Sequence, residues 1–180
     1  MDNTILHLPI TQFNITENFT PENDKNIWHR YIEYYNFLDV SKHKGYMSVH
    51  PFIITKHKDK YLVRKINDKS YSLNLMNRPC IPFELGYTDP IFKACYIMLS
   101  NSFALLDIKY YPLNYIGICK DIIKEPNRIG FVFLFNIIES SIENYIRLKE
   151  EYEWCNLDKL TNFYFKFDNW SKYYIDYLNK

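Results

Sequence analysis

The apolar residues of this chain change their period along its length, and the changes mark out the elements. In ILHLPITQFNI (5–15) they alternate weakly, which predicts a strand. Pro9 suits a sheet edge there, because an edge position loses no ladder bond when its N–H is missing. A polar stretch follows. NIWHRYIEYYNFLDV (26–40) then sets Trp28, Tyr31, Ile32 and Tyr35 on one side at helical spacing, and predicts a short helix. MSVHPFIIT (47–55) and KDKYLVRKI (58–66) read as two strands of a hairpin turning around His57–Lys60. KSYSLNLMNRP (69–79) alternates with period two and predicts another strand.

A proline-rich loop, RPCIPFELGYTDP, leads into KACYIMLSNSFAL. Asp89 is a natural N-cap there and Pro90 fits the first turn, so a helix is predicted over 90–104. LLDIKYYPLNYIGICKD (105–121) reads as a strand interrupted near Pro112. IGFVFLFNII (129–138) is the most apolar strand of the chain, a pattern that belongs at the centre of a sheet. Two further helices are predicted over 157–165 and 169–179, the second capped by Asp168 or Asn169. The total is an α+β fold. It divides into an N-terminal extension over 1–45, an edge strand and a short helix packing on the core, and a main domain over 46–180.

Composition narrows the function classes. The chain has 180 residues and is 47% hydrophobic, enough for one core and too apolar for a disordered chain. A formal net charge of +1 leaves no strong field to attract nucleic acid. Only 4 glycines are present, which leaves few positions for a phosphate-cradling loop. Cys80, Cys95, Cys119 and Cys155 form no C-x-x-C pair, so no structural zinc site is expected, and isolated thiols fit a reducing cytoplasm. The N-terminus lacks a basic region ahead of an apolar run, and no apolar stretch approaches the ~20 residues of a membrane span.

The segments also carry a resemblance. GYMSVHPFIIT resembles the first core strand of one bacterial Nudix subgroup. YIGICKDIIKEPNRIGFVFLF resembles a glycine-containing stretch of the same subgroup, keeping Gly117, Asp121, Gly130, Val132 and Phe133, with Arg128 at the subgroup's histidine position. EWCNLDKL keeps Trp154, Leu157, Asp158 and Leu160 of another motif. FDNWSKYYIDYL keeps Trp170, Ser171 and Leu178 of the closing helix. The resemblance covers roughly residues 45–180 and implies a Nudix-like α/β/α sandwich, with a mixed sheet and a central helix.

Nudix hydrolases carry a helix with R-E-x-x-E-E. Carboxylates at that spacing share one helical face and hold Mg²⁺, which neutralises a pyrophosphate and activates water. Matched to the family's box, the arginine position falls on Ile97 and the glutamate positions on Met98, Asn101 and Ser102. The stretch from Lys93 to Leu106 has no acid in any register. The resemblance therefore implies a catalytically degenerate Nudix-fold protein that binds a nucleotide-like ligand or a protein partner without Mg²⁺. The alternative is an active phosphohydrolase of nucleoside diphosphate derivatives, its Mg²⁺ held by acids outside the box. Arg64, Arg78 and Arg128 are candidates for a phosphate, and Glu84 and Glu153 for the acids. Asp121 and Glu125 are read as solvated acids of a loop beside the cleft, and His50 and Cys95 as structural residues. A homodimer is a further implication of the resemblance, and no other cofactor is expected.

Overall fold

The computed structural model describes residues 4–12, 19–22, 36–39, 44–76, 79–80, 89–103, 112–121, 127–137 and 149–180. At its centre, strands β4 (Tyr46–His57) and β8 (Arg128–Ile137) run parallel in unbroken register from Ser48↔Arg128 to His57↔Ile137. Both are buried over most of their length, which explains their near-continuous apolar runs. On the far side of β8 lies β7 (Leu113–Asp121), and beyond it β2 (Phe19–Pro21). On the other side of β4 lie β1 (Thr4–Pro9) and then β3 (Asn36–Asp39).

The far end of β4 turns through the expected hairpin into β5 (Lys60–Asn67), which leaves the main path to pair with β6 (Ser70–Ser72) and β9 (Tyr152–Cys155). One nine-stranded mixed sheet results. Helix α1 (Pro90–Ser102) covers one face, and α3 (Asn169–Leu178) covers the other. The short α2 (Leu157–Asn162) follows β9. The N-caps are side-chain caps: Asp89 accepts from the amides of Ile91 and Phe92, and Asp168 from that of Ser171.

The hydrophobic residues divide between the two faces. Val49 and Ile53 of β4 join Ile91, Cys95, Met98 and Leu99 of α1, with Phe131, Phe133 and Phe135 of β8. Phe52 and Ile54, one residue out of step, join Val132 of β8 and Trp170, Tyr174 and Ile175 of α3. This is the two-residue period of a strand buried on both sides.

Pro51 sits inside a central strand without breaking it. Residues 49, 51 and 53 turn their backbone groups toward an edge of β4 between its pairings with β1 and β5. Irregular chain fills that edge. The Cys80 amide donates to the Val49 carbonyl at 3.0 Å. The Asn74 side chain accepts from the Ile53 amide at 3.0 Å and donates to the Pro51 carbonyl at 3.4 Å. No ladder partner awaits an N–H at position 51, so proline is tolerated.

Two expectations for the first 45 residues need correction. β1 is an interior strand, bonded to β3 and β4 on its two sides. Pro9 is its last residue, where the pairing with β4 is ending, so the proline reports a strand end and not an edge. The predicted helix over 26–40 is a strand over 36–39, where pairing with β1 overrides helical spacing; residues 26–35 lie outside those described. The strand predicted over 69–79 is shorter, Ser70–Ser72, because Asn74 turns to the β4 edge. The predicted helix over 157–165 ends at Asn162 and continues as a 3-10 turn over Tyr164–Lys166. The described residues include no helix long and apolar enough to cross a membrane.

Candidate functional site

The four α1 positions that the resemblance sets against the family's carboxylate helix differ in burial. Met98 is fully buried in the core and Ser102 is buried at the helix end. Ile97 is half-buried, and Asn101 is exposed. Opposite Ser102 stands Tyr152 of β9, its hydroxyl 3.5 Å from the Ser102 hydroxyl and donating to the Leu75 carbonyl at 2.8 Å. A tyrosine thus closes over the helix end, and α1 offers a thioether, a hydroxyl and an amide in place of acids. These donors do not fit Mg²⁺, which demands carboxylate or phosphate oxygens to replace part of its hydration shell. Among the described residues no group of three or more His, Cys, Asp or Glu side chains comes together to hold a metal ion.

The opposite face of the sheet is hollow. A cavity of about 400 Å³ opens between the N-terminus of α3 and the ends of β5, β7 and β8. Phe52, Phe167 and Trp170 give it apolar walls. Arg64, Arg128, Asp121, Asn74 and Ser72 give it polar ones. Apolar and polar walls share the surface about equally, which makes the hollow more polar than most small-molecule sites while keeping their convergence of a few polar groups on an apolar wall.

Local sequence explains how it is built. Gly130 has no side chain because Trp170 lies there; a Cβ on Gly130 would stand 2.7 Å from the indole ring. Ser171, the next residue, accepts from the Leu73 amide at 2.8 Å and ties α3 to the chain after β6. Phe52 meets the Trp170 ring edge to face at 5.8 Å. Gly117 makes a comparable concession on β7. A Cβ there would meet the Thr20 carbonyl at 2.3 Å, so glycine lets β2 close against the bulged strand.

The polar side chains are arranged on that frame. Asp121, the last residue of β7, is 1% exposed. Its Oδ2 accepts from Arg128 at 3.1 Å. The Arg128 guanidinium also lies over the Trp170 ring, 5.4 Å from its centroid, a cation–π contact. Arg64 projects from β5, between Tyr152 of β9 and Ser72 of β6.

The sequence candidates therefore separate. Arg64 and Arg128 line the same hollow. Glu153 does not; its carboxylate is bonded to Lys159 of α2, and that bond raises the lysine's pKa. Arg78, Glu84 and Glu125 lie outside the described residues. Asp121 corrects an expectation: it is a buried strand residue and not a solvated loop acid, because Arg128 of the neighbouring strand reaches it. His50 is buried, 3.1 Å from the Ser48 hydroxyl, with its ring edge-on to Trp170. Cys95 is buried, and burial pushes its thiol well above the usual range. Phe52, Asn74 and Phe167 escaped sequence reading, since nothing in a local pattern distinguishes a wall from a core.

The chain is similar over 97% of its length, and over 97% of the other chain, to a solved structure described as "Crystal structure of Tm1382, a putative Nudix hydrolase", with a TM-score of 0.73 and 19% sequence identity. The fold is Nudix-like. No protein-family model matches the chain, and no curated protein matches it either.

Proposed function

We propose that this is a Nudix-fold binding protein that takes a nucleotide-like ligand in the Arg64–Arg128 hollow and does not carry out Mg²⁺-dependent hydrolysis. The observation that carries the reading is the convergence of Arg64, Arg128, Asp121 and Trp170 on one cavity, on the face away from α1. An arginine suits a phosphate bidentately, and an indole suits a base. On the other face, Met98 and Tyr152 fill the region where the family's chemistry would need acids. Four free, buried cysteines support a reducing, cytoplasmic setting.

Two measurements on the same preparation test it. One is calorimetric titration with nucleoside monophosphates, with and without Mg²⁺. The other is release of phosphate or monophosphate from a panel of nucleoside diphosphate derivatives. Saturable binding independent of Mg²⁺, without turnover, is the expected result. Robust turnover abolished by Glu84→Gln or Glu153→Gln would overturn the reading in favour of a hydrolase using acids outside the box.

A further inference from the structure

Three polar atoms on the walls of this hollow are buried and have no hydrogen-bond partner among the described residues: Oδ1 of Asp121, Nε of Arg64 and Nε1 of Trp170. An unmatched carboxylate oxygen is the most costly of these, because its charge needs donors once water is excluded. Asp121 has one matched oxygen and one unmatched. Its partner is a planar group with an N–H edge, the Arg128 guanidinium, lying against an indole face. The guanidinium uses a single N–H there, although a two-bond fork to a carboxylate is its stronger geometry. Its side chain is also 32% exposed, so it has somewhere to go.

We infer that Arg128 is a placeholder, and that the hollow selects a guanine-type base. The adjacent ring N–H and exocyclic amino group of that base would engage both oxygens of Asp121, its ring would stack on Trp170, and its phosphate would lie on Arg64. The inference deepens the proposed function and rests on it.

The chemistry of the bases makes the choice. Guanine presents two adjacent donors on its Watson–Crick edge. Adenine and cytosine place an acceptor beside their donor, and uracil flanks its single donor with acceptors. A carboxylate attracts the first arrangement and repels a lone pair in the others. A guanidinium ligand would copy Arg128, but it would bring a third positive charge to a hollow whose two arginines are already balanced by Asp121 and Asp168. A neutral base with an anionic tail avoids that, and Arg64 forms no ion pair among the described residues. Solvent does not reach Oδ1 of Asp121, and Arg128 holds Oδ2. Binding therefore includes Arg128 moving to the rim.

Titration of the full chain with GMP, IMP, AMP, guanosine and free arginine, followed by calorimetry and tryptophan emission, tests this. GMP is expected to bind best. IMP lacks the amino group and should bind at least about tenfold more weakly, the effect of losing one hydrogen bond to a charged group. AMP should be weaker still, and guanosine should lose the Arg64 contribution. Asp121→Asn should bring GMP down to the level of IMP. AMP or IMP binding as tightly as GMP, or arginine binding in their place, overturns the guanine inference. In the first of these cases the nucleotide pocket still stands. No binding by any nucleotide overturns both readings. Should Asp121→Asn fail to show a cooperative melt, the wild-type series alone decides.

Discussion

At the scale of single residues, packing against Trp170 gives the sharpest expectations. Gly130→Ala would place a methyl group 2.7 Å from a buried ring that is wedged between Phe52 and the sheet. The ring cannot yield without disturbing α3, so the variant should lose about 1–3 kcal/mol in urea unfolding. Removing the Tyr152 hydroxyl leaves the Leu75 carbonyl without that donor, and Tyr152→Phe should cost about 1 kcal/mol by the same measurement. The thiols make a pH prediction. Burial raises all four, Cys155 to about 11 and Cys80, Cys95 and Cys119 well above the usual range. Their folded pKa values lie above the unfolded ones, so their contribution to stability is complete below the unfolded value of about 8.5. It is lost as pH rises through the folded values, because the unfolded chain gives up protons first. The urea midpoint should therefore fall between about pH 8 and about pH 10, and a thiol reagent at about pH 8 should label the cysteines only after unfolding.

At the scale of elements, legibility followed local signals. Asp89 and Pro90 mark a helix start through side-chain chemistry that operates within three residues, and of the two caps the sequence offers for the last helix, Asp168 and Asn169, Asp168 is the one used. The hairpin at His57–Lys60 is equally plain, and the strand predicted over 129–138 runs over Arg128–Ile137. The interior position of β1 was not, because strand order depends on pairings with residues far along the chain. The site was half legible. Gly130, Trp170 and Ser171 stood out as members of a pattern and form one packed unit. The Asp121–Arg128 pair was not legible, since the residues between them conceal that two adjacent strands bring them together. α1 carries its own prediction. Met98→Glu, at a position that the resemblance sets against a carboxylate, would bury a charge in the core, and should cost several kcal/mol and yield no Mg²⁺-dependent turnover.

At the scale of the molecule, the sheet is a partition. The α1 face and the α3 face hold separate cores, with the hollow confined to the second. Met98→Ala should therefore lower stability by about 2–5 kcal/mol yet leave nucleotide affinity unchanged, whereas a change at Arg64 should do the reverse. Calorimetry and unfolding on the same two variants check this, and equal effects of both on affinity would contradict it. The central pair of strands has another consequence, and it concerns time. β4 and β8 touch across about 80 residues of intervening chain, as in the bond from His57 to the Ile137 carbonyl. A parallel pair this distant cannot form by local zippering; a large loop must close before any of its ten rungs contributes. Folding should accordingly be slow, in the range of milliseconds to seconds. While β4 waits for its partner, its apolar strand stays exposed on both sides, which makes the newly made chain more vulnerable to aggregation than the finished protein.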